Sequence, residues 1–331
     1  MVKPILVVTP KRQWGKIFES HPHIQFQLVS TLSEFFSPSV LHSSFSGCLW
    51  DEKAFGLEAF GKKMGPMPFE WLLLVSDQRI EFDPKMLIIP HFSGCIEQGV
   101  FFEFSAPEQD PLSKSAFLEV LSLLSQSWKT LSHGLDLSEG FDCVCTRQLT
   151  HTKDRTAFIE NILQGQHGFS SRMLNRVHTC LDELILNAIF DAPGDPGQQR
   201  LAQRKRSDLF ELSDKNKVEV KVWVPTSAHA LAAGDQVGAQ LVFQVTDFHG
   251  NLILEDTLKR ALSDYENKPA TQLSDSQENA GLGLMSVFSQ AGLVHFFVRP
   301  GQLTCVTIWF CAAGGLRTQK KSPLVVCFSQ G

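Results

Sequence analysis

The stretch Leu174–Ala192, LNRVHTCLDELILNAIFDA, sets the reading of the chain. Leu174, Val177, Leu181, Leu184, Ile185, Ala188 and Ile189 recur at three- and four-residue steps, the period of a helix with one apolar face. That face belongs on a core. Glu183 and Asn187 stand four residues apart, so a carboxylate and a carboxamide project from the same side of the helix, one turn from each other. A carboxamide oxygen ligates magnesium without adding charge, and a nearby carboxylate can orient water or accept a proton from a hydroxyl. The pair alone is also what chance puts on a solvated helix face.

Two later stretches bear on that choice. Gln240–Leu252, QLVFQVTDFHGNL, is a β-type run that stops at Asp247 and turns through His249, Gly250 and Asn251. Glu278–Gln290, ENAGLGLMSVFSQ, is a glycine-bearing loop feeding an apolar helix. In that order the three stretches resemble the histidine-kinase-type ATPase domain, the ATP-binding fold of DNA gyrase, heat-shock chaperones and mismatch-repair proteins. The resemblance implies a two-layer α/β sandwich with a mixed sheet. It puts Glu183, Asn187 and Asp191 in the N-box, with Glu183 as general base and Asn187 holding Mg2+. Asp247 becomes the adenine-binding carboxylate, with Gly250 in its turn. Gly281, Leu282, Gly283 and Leu284 form the second glycine box, and Thr304 closes the adenine pocket. The cofactors implied are ATP and Mg2+.

The glycine after Asp247 departs from the family's D-x-G-x-G, since Phe248, His249, Gly250 and Asn251 follow it. The D-x-x-G-x-L form, with an N-box running into Asp191-Ala192-Pro193, resembles a bacterial subgroup of the fold. Backbone amides freed by Gly281 and Gly283 at a helix N-terminus suit an anion. Lys259, Arg260 and Lys268 on a lid segment, and Arg200, Arg204, Lys205 and Arg206 in the loop after the N-box, are further cations available to phosphates or to an acidic partner, or are simply solvated.

Strand, helix and N-box helix in succession look most like anti-sigma-factor serine kinases and related partner-switching ATPases. The function so implied is phosphate transfer from Mg-ATP to a Ser or Thr of a regulatory protein partner. The alternative is a non-catalytic module in which ATP alters affinity for that partner. His133 beside Gly134 and His151 in a strand-to-turn segment lack the setting of a phospho-acceptor histidine, so autophosphorylation on His is not expected.

A chain of 331 residues exceeds one ordinary core, and two domains are expected. Residues 1–110 read as a small α/β domain, 111–140 as a helical linker, 141–311 as the ATPase-like domain and 312–331 as a tail. Apolar runs at Ile5–Val8, Gln25–Val29, Cys48–Trp50, Trp71–Val75 and Met86–Ile89 alternate with turn-rich breaks. This loosely resembles a receiver domain with Asp51 at the phospho-acceptor place, but Thr9-Pro10 stands where acidic magnesium ligands belong, so a degenerate receiver or unrelated sensing domain is expected. The linker stripe Phe117, Val120, Leu121, Leu124 and Trp128 can pack on its own domain or form a homodimer seam. The tail's Leu324–Phe328 can add a strand or bind a partner.

Composition fits an ordered globular protein, with 43% hydrophobic and 20% charged residues. A net charge of -5 gives no reason to expect nucleic acid or an anionic membrane as partner. No apolar run has the length of a signal peptide or membrane span, and a cytoplasmic protein is expected. None of the eight cysteines forms C-x-x-C; Cys48, Cys180, Cys305 and Cys311 read as small buried hydrophobes in a reducing compartment.

Overall fold

Short runs of β-branched and large apolar residues need a partner on each edge and cover on each face, and the first four strands show both. β1 (Ile5–Val8), β3 (Gly47–Asp51) and β4 (Leu72–Val75) are buried at every position, the mark of strands covered on both faces. β2 (Phe26–Val29) pairs with β1, and β5 (Phe92–Ile96) with β4. All five are parallel in the order β2-β1-β3-β4-β5, one of the common doubly wound orders. Between the strands lie single-turn helices α1 (Leu32–Phe35), α2 (Pro38–Leu41) and α3 (Glu52–Phe55). The computed structural model describes residues 3–10, 25–56, 68–75, 92–96, 121, 124, 137, 141–164, 169–192, 207–214, 216–226, 240–253, 255–257, 284, 286–288, 290–311 and 325–330.

The later strands are β6 (Phe141–Leu149), β7 (Val218–Pro225), β8 (Gln240–Asp247), β9 (Leu293–Arg299), β10 (Leu303–Cys311) and β11 (Val325–Gln330). They form a mixed block in the order β11-β9-β10-β8-β7-β6, antiparallel except where β11 lies parallel to β9. β11 also pairs antiparallel with β5, through Val325↔Ile96, Val326↔Cys95 and Cys327↔Gly94, so the two blocks run on as one eleven-stranded sheet. The segment read from sequence as a tail thus supplies a strand between the blocks.

Helices α4 (Arg155–Leu163) and α5 (Ser171–Leu186) cover one face of the mixed block. Ser170 Oγ accepts the Met173 amide at 3.2 Å, capping α5 at its start. The apolar stripe read from the sequence is the face that goes down: Val177, Leu181, Ile185 and Ile189 are fully buried against Val220, Phe243, Ile308 and their neighbours. At about 25 cal/mol per Å² of apolar area removed from water, each such side chain contributes about 2 kcal/mol. The α-helix does not continue to Ala192 as the period suggested. It widens into a π turn over Asn187–Asp191, in which the Ala192 amide donates to the Asn187 carbonyl.

The opposite face is buried as well. Leu121, Leu124 and Leu137 share a cluster with Val7, Leu49 and Trp71 from the parallel block and with Trp223, Val242 and Trp309 from the mixed block. The described linker residues therefore belong to a cluster that draws on both halves. Three polar side chains under this layer are paired in a chain: Trp223 Nε1 donates to Gln244 Oε1 at 2.8 Å, and Gln244 Nε2 to Thr307 Oγ1 at 3.3 Å. Cys48, Cys180 and Cys305 are buried free thiols, while the Cys311 side chain falls outside the described residues. Met86–Ile89 also falls outside them, and no helix among the described residues is long and apolar enough to cross a membrane.

His295, on β9, lies fully buried with Nε2 3.1 Å from Ser329 Oγ of β11, and burial pushes its pKa down to about 3 from 6.5. Below pH 6.5 the unfolded chain takes up a proton that the folded chain refuses, so this histidine's share of stability is lost as pH falls from 6.5 toward 3. Replacing His295 with Gln should flatten that acid limb by on the order of 3 kcal/mol, read from urea unfolding at stepped pH.

Candidate functional site

β8 ends at Asp247, a residue only 7% exposed. Its Oδ1 accepts the His249 amide at 2.9 Å and the Gly250 amide at 3.3 Å, a side-chain-closed turn that fixes the carboxylate's orientation. Burial raises the Asp247 pKa, while the two amides, the His249 charge and the Thr304 hydroxyl oppose the rise. Thr304 faces Asp247 across the β10–β8 ladder. Its Oγ1 is buried and makes no hydrogen bond of ordinary geometry among the described residues, although it lies near enough to favour the charged carboxylate. A buried hydroxyl so placed is open to a ligand's donor or acceptor.

Gly250 has φ 65°, and a Cβ there would stand 2.2 Å from the Arg299 carbonyl oxygen and 2.8 Å from the amides of Gln302 and Leu303. Glycine at this place lets the turn lie against the β9–β10 hairpin, where Gly301 N–H donates to the Gly250 carbonyl at 3.2 Å. The chain then doubles back, and Asn251 Nδ2 donates to the Ala192 carbonyl at 2.7 Å, tying the turn to the end of the π helix.

These elements enclose a cavity of about 420 Å³. Leu184, Ala188, Val245, Leu252, Phe296 and Val306 give it apolar walls, and Asn187, Asp247, Asp256, Thr257 and Thr304 supply polar groups. Four residues singled out from sequence, Asn187, Asp247, Leu284 and Thr304, therefore meet in one place although they come from a helix end, two strands and a glycine-box helix. Glu183 is half-buried one turn before Asn187 and is not among the lining residues. Its neighbour Asp182 pairs with Arg155 of α4 at 2.6 Å, holding the two helices in register. Gly250 shapes the wall from behind rather than lining it. Gly281, Leu282 and Gly283, the side chain of Asp191, and the cations Arg200, Arg204, Lys205, Arg206, Lys259, Arg260 and Lys268 lie outside the described residues.

Sequence reasoning missed Asn251, Asp256 and Thr257. The Asn251 signal was available, since Asn after Gly in a turn commonly bonds backbone; Asp256 sat inside a stretch read as a lid helix and carried no signal. His151, set aside as a phospho-acceptor, has a local duty: its Nδ1 accepts the Lys153 amide at 3.1 Å and caps the 3-10 turn Thr152–Asp154. At the end of β3, Asp51 is fully buried, accepting Thr9 Oγ1 at 2.8 Å and the Ala54 amide at 3.2 Å.

No family model matches the chain, and no curated protein matches it.

Two substitutions test the geometry. Gly250→Ala combines positive φ with backbone overlap and should cost about 3 kcal/mol in chemical unfolding. Asp247→Asn should do the opposite. Because the Asp247 pKa is raised, the folded chain holds a proton that the unfolded chain releases, so its share of stability grows as pH falls through the raised value and is lost above it. The amide should therefore leave the protein at least as stable at pH 7 and flatten that acid window.

Proposed function

We propose that the chain is an ATP-binding signalling protein of the histidine-kinase-type ATPase kind, in which occupancy of this cavity by Mg-ATP controls a regulatory protein partner. The reading takes residues 141–311 as a two-layer α/β sandwich, closest in layout to anti-sigma-factor serine kinase-like regulators, and residues 1–110 as a degenerate receiver-like unit. The observation that carries it is the convergence of Asn187, Asp247 and Thr304 on one apolar-walled cavity, with the Thr304 hydroxyl beside the Asp247 carboxylate.

The residues suit the ligand. Asp247, oriented by two amides through Oδ1 and with Thr304 beside it, can accept a donor such as the exocyclic amine of adenine. Guanine offers a carbonyl at that place, which a carboxylate repels. The apolar walls suit the faces of a planar base. Asn187, at the start of the π turn, can present a neutral oxygen to magnesium. Bound Mg-ATP would supply a transferable phosphoryl group and a changed surface at the cavity mouth.

The sequence resemblance makes Glu183 the general base for transfer to a partner's Ser or Thr. Its position away from the cavity lining favours the second reading, a module that binds ATP and regulates by conformation alone.

Calorimetric titration of Mg-ATP, with GTP as comparison, tests the site. Wild type should bind ATP selectively, and Asp247→Asn should weaken ATP by at least about tenfold while remaining folded. No heat with wild type overturns the reading. Glu183→Gln separates the two modes: phosphate transfer to a co-purified partner disappears while binding stays if Glu183 is a base, whereas a binding module is unchanged in both.

A further inference from the structure

β6 stands at the end of the mixed block away from β11, and β7 is its one strand partner among the described residues. An end strand of nine residues presents a row of backbone N–H and C=O groups outward. Between the buried Phe141 and Leu149 every side chain of β6 is exposed or half-exposed, on both faces, with Val144 at 50%. The charged residues of the strand are Asp142 and Arg147, and neither forms an ion pair among the described residues.

In a regular strand, residues at these two positions would point to opposite faces. The pairing with β7 puts them on one. Asp142 stands opposite Val224 and Arg147 opposite Val220, and both valines belong to the cluster beneath α4 and α5. Cys143 stands opposite Trp223 of the far-side cluster, and Thr146 opposite Lys221, which shares that face with Trp223. The register shift between Cys143 and Cys145 supplies the extra residue that changes the parity.

A bulge and isolated charges are devices by which an edge repels other strands. Here they have a further property. A two-fold axis normal to the sheet brings β6 against its own copy, antiparallel. Centred between Val144 and Cys145, that axis sets Asp142 against the partner's Arg147, and Arg147 against the partner's Asp142. It also sets Cys143 against Thr146 and Phe141 against Gln148, and in each pair both residues lie on the same face, as antiparallel partners must. Without the bulge, an axis between two residues would set every side chain against one of the wrong face.

We propose that the β6 edge is a homodimer seam, at which two copies of this chain pair antiparallel in this register and run their sheets into one. The same edge serves both copies, so the contact closes at two. Val144 sits at the centre, and an Asp142–Arg147 pair on either side fixes the register. The seam does not depend on the nucleotide reading.

The experiment is sedimentation velocity of the full chain over a concentration series. The samples are wild type, Asp142→Arg, Arg147→Asp, the double variant, and an equimolar mixture of the two single variants. Wild type should pass from monomer to dimer and no further. Each single variant sets like charges opposite each other on both sides of the centre, and should raise the dimer dissociation constant by about tenfold. The double variant and the mixture restore opposite charges at both pairs and should recover dimerisation. A wild type that stays monomeric at every concentration, or assembles past the dimer, overturns the seam. Single variants that dimerise as wild type does put any dimer at another surface and overturn it as well. Weakened single variants with no recovery in the double variant or the mixture overturn the register. Both residues are exposed, so all four proteins should share one thermal midpoint.

Discussion

A carboxylate taken out of water has to be compensated, and the compensation at Asp247 organises everything around the cavity. Its Oδ1 draws in the amides of His249 and Gly250, which bends the chain directly after β8. The bend presses Gly250 onto the β9–β10 hairpin and sends Asn251 to the last carbonyl of the π turn. One desolvated charge thus fixes the relation of a strand end, a hairpin and a helix end. The wall that carries Thr304 and the wall that carries Asn187 stand where they do because this turn lies between them.

The rest of the mixed block is ordinary in its energetics. α5 buries a continuous apolar stripe against strands whose side chains alternate, with Phe243 and Val245 under the helices and Val242 and Gln244 on the far side. Polar residues on the far side are tolerated because they meet one another. Gln244 bonds both Trp223 and Thr307, while the buried Trp71 Nε1 of the same layer has no hydrogen-bond partner among the described residues.

Much of this was legible in the sequence, for local reasons. The helical period of Leu174–Ala192 exposed the buried face of α5, and the apolar runs located β1 to β4 and β8 within a residue or two, since period and β-branching are short-range signals. Strand Phe92–Ile96 was not picked out, because Ser93 and Gly94 interrupt its apolar run. The order β2-β1-β3-β4-β5 and the place of β11 depend on pairings between distant residues that no window reveals. For the candidate site, Asn187, Asp247 and Thr304 were named from the resemblance of three ordered motifs, and all three line one cavity. The π turn and Asp256 could not be read in that way, since one is a single widened turn and the other is positioned by hydrogen bonds between loops.

β11 gives the chain an unusual order of assembly. β9 is paired with β10 as soon as that hairpin is made, yet its other edge stays open until residues 325–330 have been synthesised. The edge of β5 waits much longer, from residue 96 to residue 325. The β5 edge, able to recruit a foreign strand, therefore persists through most of translation, and the β9 edge only through its last stage. Both are sealed by one late segment of six residues. A ribosome-bound chain would be most prone to mispairing just before that segment emerges, and closure of so distant a pair is a slow step for refolding as well.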